Sequence, residues 1–429
     1  MIRKFIYNLG QKIRNPALKK NYNFLKESEK WSLEKLEEYQ LKKLKELLKI
    51  AYHNSDFYRQ KFDEQQLDIN DVKRLEDLKS FPIINKKDLI TFTSQIHTNL
   101  NFKKTFLATT SGTSGESLKF VREENADSFN RAAIQRGYSW YKVYPWERNG
   151  YFWGFSFSFI NQQKNKVLDF LQNRFRIFSY EEKSLKKFIK KSEKAKYIHG
   201  YSSMIYQTAV LINKLGLPKP LHLKMIKGTS EKIFESYKPA IKKAFGLDII
   251  SEYGATETGI IAYECKEGNL HLHMEGVLVE EVDDEIIITN LQMQSFPIIR
   301  YRLGDYIALA PRDKKCTCGM NHLILEEVTG RIGENVYGFY KIYPSLYFYY
   351  IFKNLSKRDH LNLNYQVIQN KKGVLEFRIE QEINEIELSL LKHEIEVYFK
   401  QDVLIKIFTN VKLLSVKGKF KSFVSNIEL

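Results

Sequence analysis

The sequence is poor in the residues that punctuate and cross-link a chain, with 3 Cys, 9 Pro and 21 Gly among 429 residues. So few cysteines, odd in number, cannot build a disulfide framework, which leaves free thiols or metal ligands as the uses of Cys265, Cys316 and Cys318. Scarce Pro and Gly exclude collagen-like and low-complexity chains, and 43% hydrophobic residues exclude intrinsic disorder. Long apolar runs are missing too. The stretches 151–160 and 346–352 are far shorter than the roughly 18–20 residues of a membrane-spanning helix. The opening MIRKFIYNLGQKIRNP has a basic start but neither the apolar core nor the small-residue cleavage site of a signal peptide, so it reads as mature protein. The expected compartment is the cytoplasm.

Acidic residues are outnumbered. Against 68 Lys+Arg stand 51 Asp+Glu, a net charge of +17 that favours nucleotides, nucleic acid or an anionic membrane surface as partners. The densest basic stretch, 174–196, places Lys186, Lys187, Lys190, Lys191 and Lys194 opposite Leu185, Phe188 and Ile189 at helical spacing. It is a solvated helix face or a docking site for a polyanion or membrane surface.

Residues 1–80 read as a helical arm in which Ser32 caps a helix whose apolar face carries Leu33, Leu36, Leu41, Leu44, Leu47, Leu48 and Tyr52. From residue 81 to about 331, short β-rich runs at 105–108, 151–155, 224–226, 249–251, 277–282 and 286–289 mix with helical stretches such as 233–245. This alternation predicts an α/β or mixed core, with α/β the expected fold class. The last hundred residues hold strands at 365–369, 374–380 and 403–409 and a helix at 385–400, the pattern of a separate small α+β domain. The expected division is 1–331 and 332–429.

Five segments carry chemistry. The first is Thr109-Thr110-Ser111-Gly112-Thr113-Ser114-Gly115-Glu116-Ser117, whose hydroxyls and glycines let backbone N–H groups converge on phosphate oxygens. It is no Walker A loop, because G-x-x-x-x-G-K-[ST] has no match, and alone it could be a turn. The second, Ser251-Glu252-Tyr253-Gly254-Ala255-Thr256-Glu257-Thr258-Gly259, can carry the Glu257 carboxylate into a cleft, where oxygen ligands suit Mg²⁺ on nucleotide phosphates. In the third, Phe296-Pro297-Ile298-Ile299-Arg300-Tyr301-Arg302-Leu303-Gly304-Asp305, the Asp could accept hydrogen bonds from ribose hydroxyls. The others are Val328-Thr329-Gly330-Arg331-Ile332-Gly333-Glu334-Asn335 and Val416-Lys417-Gly418-Lys419-Phe420-Lys421.

In this order the five resemble the adenylate-forming superfamily of acyl-CoA synthetases, and more closely its branch of phenylacetate–CoA ligase-like and CapK-type capsular polysaccharide biosynthesis proteins. The N-terminal stretches Trp31-Ser32, Phe57-Tyr58-Arg59 and Phe81-Pro82-Ile83-Ile84-Asn85-Lys86 look similar to that branch as well.

The resemblance implies a large adenylation domain, a mobile C-terminal cap, and ATP-dependent activation of a carboxylic acid as acyl-AMP. The acyl group would then pass to coenzyme A or an amine, in surface polysaccharide or secondary metabolism. It gives the ATP phosphates to Thr110, Ser111, Gly112, Thr113, Ser114 and Gly115, and the adenine site to Ser230 and Glu231 within Gly228-Thr229-Ser230-Glu231. Tyr253 and Gly254 would border the adenine and acyl pockets, with Tyr201 and Ser202 of Gly200-Tyr201-Ser202-Ser203 on the acyl wall. Glu257, beside Thr256, would hold Mg²⁺. Asp305 would bind ribose, Arg331 the nucleotide at the domain border, and Lys419 the α-phosphate.

The chain departs from the family where Glu116 replaces the usual Pro-Lys-Gly continuation, at the hinge around Arg331, and where no proline precedes Lys417. That leaves Lys417 as a competitor for the role of Lys419.

Cys316-Thr317-Cys318-Gly319 brings two thiolates together, and with Cys265 and His271 they would complete a tetrahedral structural Zn²⁺ site, His273 and His322 being rival fourth ligands. Three reduced thiols are the plain alternative. A rival for the whole protein is a non-catalytic, zinc-stabilised basic scaffold that binds polyanions.

Overall fold

The structure is a computed structural model that describes residues 2–110, 117–152, 159–177, 182–331, 335–416 and 419–427. The arm is helical as expected, with helices Ile2–Arg14, Leu18–Ser28, Leu33–Asn54 and Asp56–Glu64. Ser32 caps the third by accepting from the Lys35 N–H at 3.3 Å. Leu36, Leu44, Leu47 and Leu48, spaced to share one face, are buried against the sheet below.

Thirteen strands position the site. They are β1 (Thr105–Thr109), β2 (Lys119–Glu123), β3 (Asn149–Phe152), β4 (Arg174–Arg176), β5 (Tyr197–Tyr201), β6 (Met225–Thr229), β7 (Ile249–Ala255), β8 (Gly259–Glu264), β9 (Leu270–Leu272), β10 (Val277–Val282), β11 (Glu285–Asn290), β12 (Tyr301–Leu309) and β13 (Ile324–Arg331). β1 and β2 form a hairpin of their own. Among the described residues the other eleven make one sheet in the order β10-β11-β12-β13-β9-β8-β7-β6-β5-β3-β4.

The sheet has two characters. From β4 to β7 it is parallel, joined by crossovers that include the helices Glu182–Ser192, Ser202–Lys214 and Tyr237–Phe245, whose apolar faces pack with Phe152, Ile198 and Ile226 in one core. From β7 onward it is antiparallel, and this half shares its core with the helical arm. Parallel strands buried on both faces read as short apolar runs, whereas the antiparallel part alternates; both patterns are present in the sequence.

The helix expected over 233–245 begins only at Tyr237, because Ile233 and Phe234 turn inward as loop residues against the parallel core. Arg300 takes a left-handed conformation, φ 46°, that directs its guanidinium to Glu280 at 3.0 Å and to the carbonyls of Lys79 and Phe81. It thereby ties the arm to the sheet.

Residues 335–427 build a second core of their own. A sheet in the order Leu404–Phe408, Val374–Ile379, Tyr365–Lys371, Phe423–Ser425 is covered by helices Leu346–Asp359 and Glu385–Phe399, with Phe348, Phe377 and Phe399 buried between the layers. Asn384 caps the second helix in a reciprocal box with Glu387. This unit touches the larger one through a few side chains. Phe234 meets the rings of Tyr365 and Phe420 at 5.9 and 6.1 Å, the Asn364 amide donates to the Tyr206 hydroxyl at 3.0 Å, and Lys353 pairs with Glu327 at 2.6 Å.

Candidate functional site

Several of the chemistry-bearing segments come together around β2, β7, β12 and β13. The loop after β1 starts and closes on Thr110, whose N–H donates to the Leu118 carbonyl at 2.9 Å while its hydroxyl accepts from the Leu118 N–H at 2.9 Å. Ser111, Gly112, Thr113, Ser114 and Gly115 lie outside the described residues. The loop therefore springs from a hairpin held shut at its base.

The turn Thr256, Glu257, Thr258 joins β7 to β8. Thr256 is exposed and Glu257 buried. The buried Arg122 guanidinium, from β2, donates to the Thr256 carbonyl, so the phosphate-loop hairpin and the Glu257 turn are tied together. Burial pulls the Arg122 pKa down, and Asp127, Glu123 and Glu257 act to hold its charge.

Tyr253 and Asp305 touch directly. The Tyr253 hydroxyl donates to an Asp305 carboxylate oxygen at 2.7 Å, and Asp305 on β12 stands opposite Arg331 on β13. Only the backbone of Arg331 is described. Three of the five segments thus converge: Tyr253 and Asp305, 52 residues apart along the chain, share a hydrogen bond, and Arg331 stands across one strand pairing from Asp305.

The remaining contacts gather on Glu231. Its carboxylate accepts from the Ser203 N–H at 2.9 Å and from the Phe420 N–H at 2.8 Å, and its carbonyl accepts from the Ser202 hydroxyl at 3.3 Å. Ser230 beside it is exposed in a left-handed conformation, φ 64°. Burial pushes the Tyr201 phenol up to about 12, and the Glu231 charge adds to this. Two glycines allow such close approach: a Cβ on Gly200, which has φ +139°, would lie 2.1 Å from the Phe152 carbonyl oxygen, and one on Gly228 would lie 2.4 Å from the Ser202 hydroxyl. Lys419 precedes Phe420 on a short strand paired with Ser415–Val416, and only its backbone is described; Lys417 lies outside the described residues.

Sequence reasoning missed Arg122, and also Lys227 with Glu252. The Lys227 ammonium sits 2.5 Å from the Glu252 carboxylate, 5.1 Å from the Tyr138 ring and 5.8 Å from that of Tyr263, all in the sheet interior.

Cys265, His271, Cys316 and Cys318 form a second centre, with all four ligand atoms within 4.8 Å of one another. The sulfurs of Cys265 and Cys316 are 3.7 Å apart, and the Cys318 sulfur is 3.2 Å from His271 Nε2. Two thiolates bound tetrahedrally at about 2.3 Å from a zinc ion stand about 3.8 Å apart, so the donor set has the size that ion needs. His271 Nδ1 lies 3.1 Å from the His322 carbonyl, which leaves Nε2 to face the thiols, and burial lowers the imidazole to about 4, favouring the neutral ligating form. The rival ligands are engaged elsewhere. His322 Nε2 is 2.9 Å and His273 Nδ1 3.3 Å from the carboxylate of the fully buried Glu275, which also takes Arg136 at 2.7 Å.

With this geometry in view, likeness to known proteins becomes informative. No family model matches the chain. Protein CapK of Staphylococcus aureus is 25% identical over 292 residues, covering 63% of this chain and 63% of that one. Indoleacetate–lysine synthetase of Pseudomonas savastanoi is 30% identical over 129 residues, 29% of this chain and 32% of that one. The matched region therefore spans less than two thirds of these relatives' length. In structure, 2-hydroxyisobutyryl-CoA ligase in its postadenylation state with R3-HIB-AMP superposes with a TM-score of 0.70 at 13% identity, over 93% of this chain and 91% of that one. The chain is thus similar in sequence to these two proteins and has the fold of 2-hydroxyisobutyryl-CoA ligase. This likeness of fold extends over nearly the entire chain, as far as the resemblance read from the motif order.

Proposed function

We propose that the protein activates a carboxylic acid with ATP and hands the acyl group to a thiol or an amine. The observation that carries this reading is the Tyr253–Asp305 hydrogen bond with Asp305 opposite Arg331, which brings three segments of the superfamily pattern side by side.

A carboxylate oxygen attacks the α-phosphorus, the bond to pyrophosphate breaks, and an acyl adenylate remains. Negative charge builds on the phosphate oxygens as this happens. The 110–115 loop binds the phosphates through N–H and O–H groups, and Asp305 accepts from the ribose hydroxyls. Lys419 brings a cation to the α-phosphate. Glu257 is the carboxylate that would hold Mg²⁺, which supplies charge neutralisation when nucleotide is bound.

In the second half, the thiol or amine attacks the acyl carbon, the C–O bond to AMP breaks, and the nucleophile's proton leaves to solvent. Tyr201 and Ser202 form part of the acyl wall. Coenzyme A or an amine serves as acceptor, a choice supported by one relative being named an indoleacetate–lysine synthetase and a structural neighbour a CoA ligase. The family branch supports a cytoplasmic role in surface polysaccharide or secondary metabolism.

The cap, 332–429, moves between the two half-reactions. Supporting this, the fold matches 2-hydroxyisobutyryl-CoA ligase at 0.70 in its postadenylation state and 0.62 in its thioesterification state. The Cys/His centre holds a structural Zn²⁺, its four protein ligands leaving no open position.

ATP–pyrophosphate exchange across a panel of aryl, fatty and amino acids tests the reading. Exchange with one chemical class is the expected result, and exchange with none would overturn it.

A further inference from the structure

The first helix, Ile2–Arg14, is packed inside out. Its polar side faces the protein: the Tyr7 hydroxyl accepts from Gln135 at 2.7 Å, the Arg3 guanidinium donates to the Phe170 carbonyl at 2.7 Å, and Arg14 lies over the Phe106 ring at 4.5 Å. The apolar residues Ile2, Phe5, Leu9 and Ile13, which share one stripe at helical spacing, are turned to solvent and 49–75% exposed. A water-facing helix that served only to cover the core would show the reverse pattern.

The stripe does not stand alone. The neighbouring helix Phe159–Leu171 adds Val167, Phe170 and Leu171 at spacings of three and four, all exposed, with Arg3 across the Phe170 ring. Among the described residues, no helix is long and apolar enough to cross a membrane, so this apolar surface is suited to lying on a bilayer rather than spanning it.

Charge selects the occupant. The first helix carries Arg3, Lys4, Lys12 and Arg14 and no acidic residue. Positive charge continues away from it, from Arg3 to Arg148 and on to Lys187 and Lys191, and the buried Asp169 that acts on Lys191 is already paired with Arg174 and Arg176. Lys191 belongs to the helix Glu182–Ser192, whose Leu185, Phe188 and Ile189 are buried and whose lysines face outward. An apolar stripe flanked by a belt of one sign fits an anionic, apolar-cored surface; a second copy of this chain would set like charge against like.

We propose that the helix Ile2–Arg14, with residues 167–171, docks the protein on the surface of an anionic lipid bilayer. Insertion of Phe5 and Leu9 supplies the apolar contact, and Arg148, Lys187 and Lys191 supply the attraction to headgroups. The enzymatic reading above is not needed for this.

Flotation of the full chain with vesicles tests it, using phosphatidylcholine alone or with about one third phosphatidylglycerol. Recovery with the anionic vesicles, falling as salt rises, is the expected result. The double variant Phe5→Ser, Leu9→Ser should lose about tenfold or more in vesicle binding at unchanged melting temperature, since both side chains are exposed. Lys187→Glu with Lys191→Glu should weaken binding to the anionic vesicles only. Equal recovery of wild type and the Phe5/Leu9 variant would overturn the proposal. So would a dimer in solution that this variant converts to monomer without any vesicle binding, which would make the face a contact between copies.

Discussion

At the scale of single residues, the proposed mechanism places its heaviest demand on Lys419. Replacing it with Ala should cost adenylation about 10²-fold or more, as loss of a transition-state charge donor does elsewhere. Acyl transfer from a preformed adenylate should survive, as should ATP binding by the 110–115 loop. Measuring both half-reactions in Lys417→Ala and Lys419→Ala decides it: mild and equal losses would remove Lys419 from the mechanism, and a severe loss only in Lys417→Ala would move the role upstream. Residues of this kind are legible because chemistry restricts which types can stand there. Glu257 and Asp305 could be picked out for that reason and Tyr253 through the family resemblance, and Tyr253 and Asp305 do meet at 2.7 Å. Arg122 and Lys227 were not legible. A lone basic residue in a short strand reads as solvent-facing until the fold is known. Only the packing of the β2 hairpin on the β7–β8 turn, and of β6 beside β7, brings these cations to Thr256 and Glu252.

At the scale of elements, the Cys/His centre staples the end of β8 to β9 and to the loop between β12 and β13. One zinc per chain is expected by elemental analysis. Chelation, or Cys316→Ser, should lower the melting temperature and loosen this knuckle, because binding free energy of a structural metal is folding free energy. Metal-free protein that melts normally would refute the assignment. The two thiols of Cys316 and Cys318 were evident from their spacing, but the fourth ligand was not. Three histidines lie near in sequence, and the choice of His271 follows from β9 pairing with β8 and β13 while Glu275 claims the other two. The start of Leu33–Asn54 behind Ser32 was legible, and Glu385–Phe399 was legible to within one residue at both ends. The helix Ile2–Arg14 was legible as apolar and basic, yet its inverted packing was not, since periodicity gives a face and never says which side it meets.

Across the whole molecule, the proposed reaction makes the arrangement of the two units decide whether one site serves two substrates in turn. Lys232 sits at their boundary, its ammonium 3.9 Å from the Tyr349 ring of the cap and near Glu327, Lys353 and Glu235. Burial pushes it down to about 8 from the ordinary 10.5; Glu327 and Glu235 favour its charge and Lys353 opposes it. If the cap swings away, Lys232 regains water and its ordinary value. Docking then sheds a proton between those two values. Below pH 8 both arrangements keep the proton and the cost of covering the charge is constant; as pH rises through 8 toward 10.5 the docked arrangement gains. Dyes placed on the two units should report a docked fraction that rises with pH in this window, and Lys232→Met should raise that fraction and flatten its slope. ATP with the acid substrate should shift the same signal and change the rate of proteolysis at 331–335. A slope that survives in Lys232→Met would assign the proton to another group, and a signal indifferent to pH and to both ligands would mean that the cap does not swing.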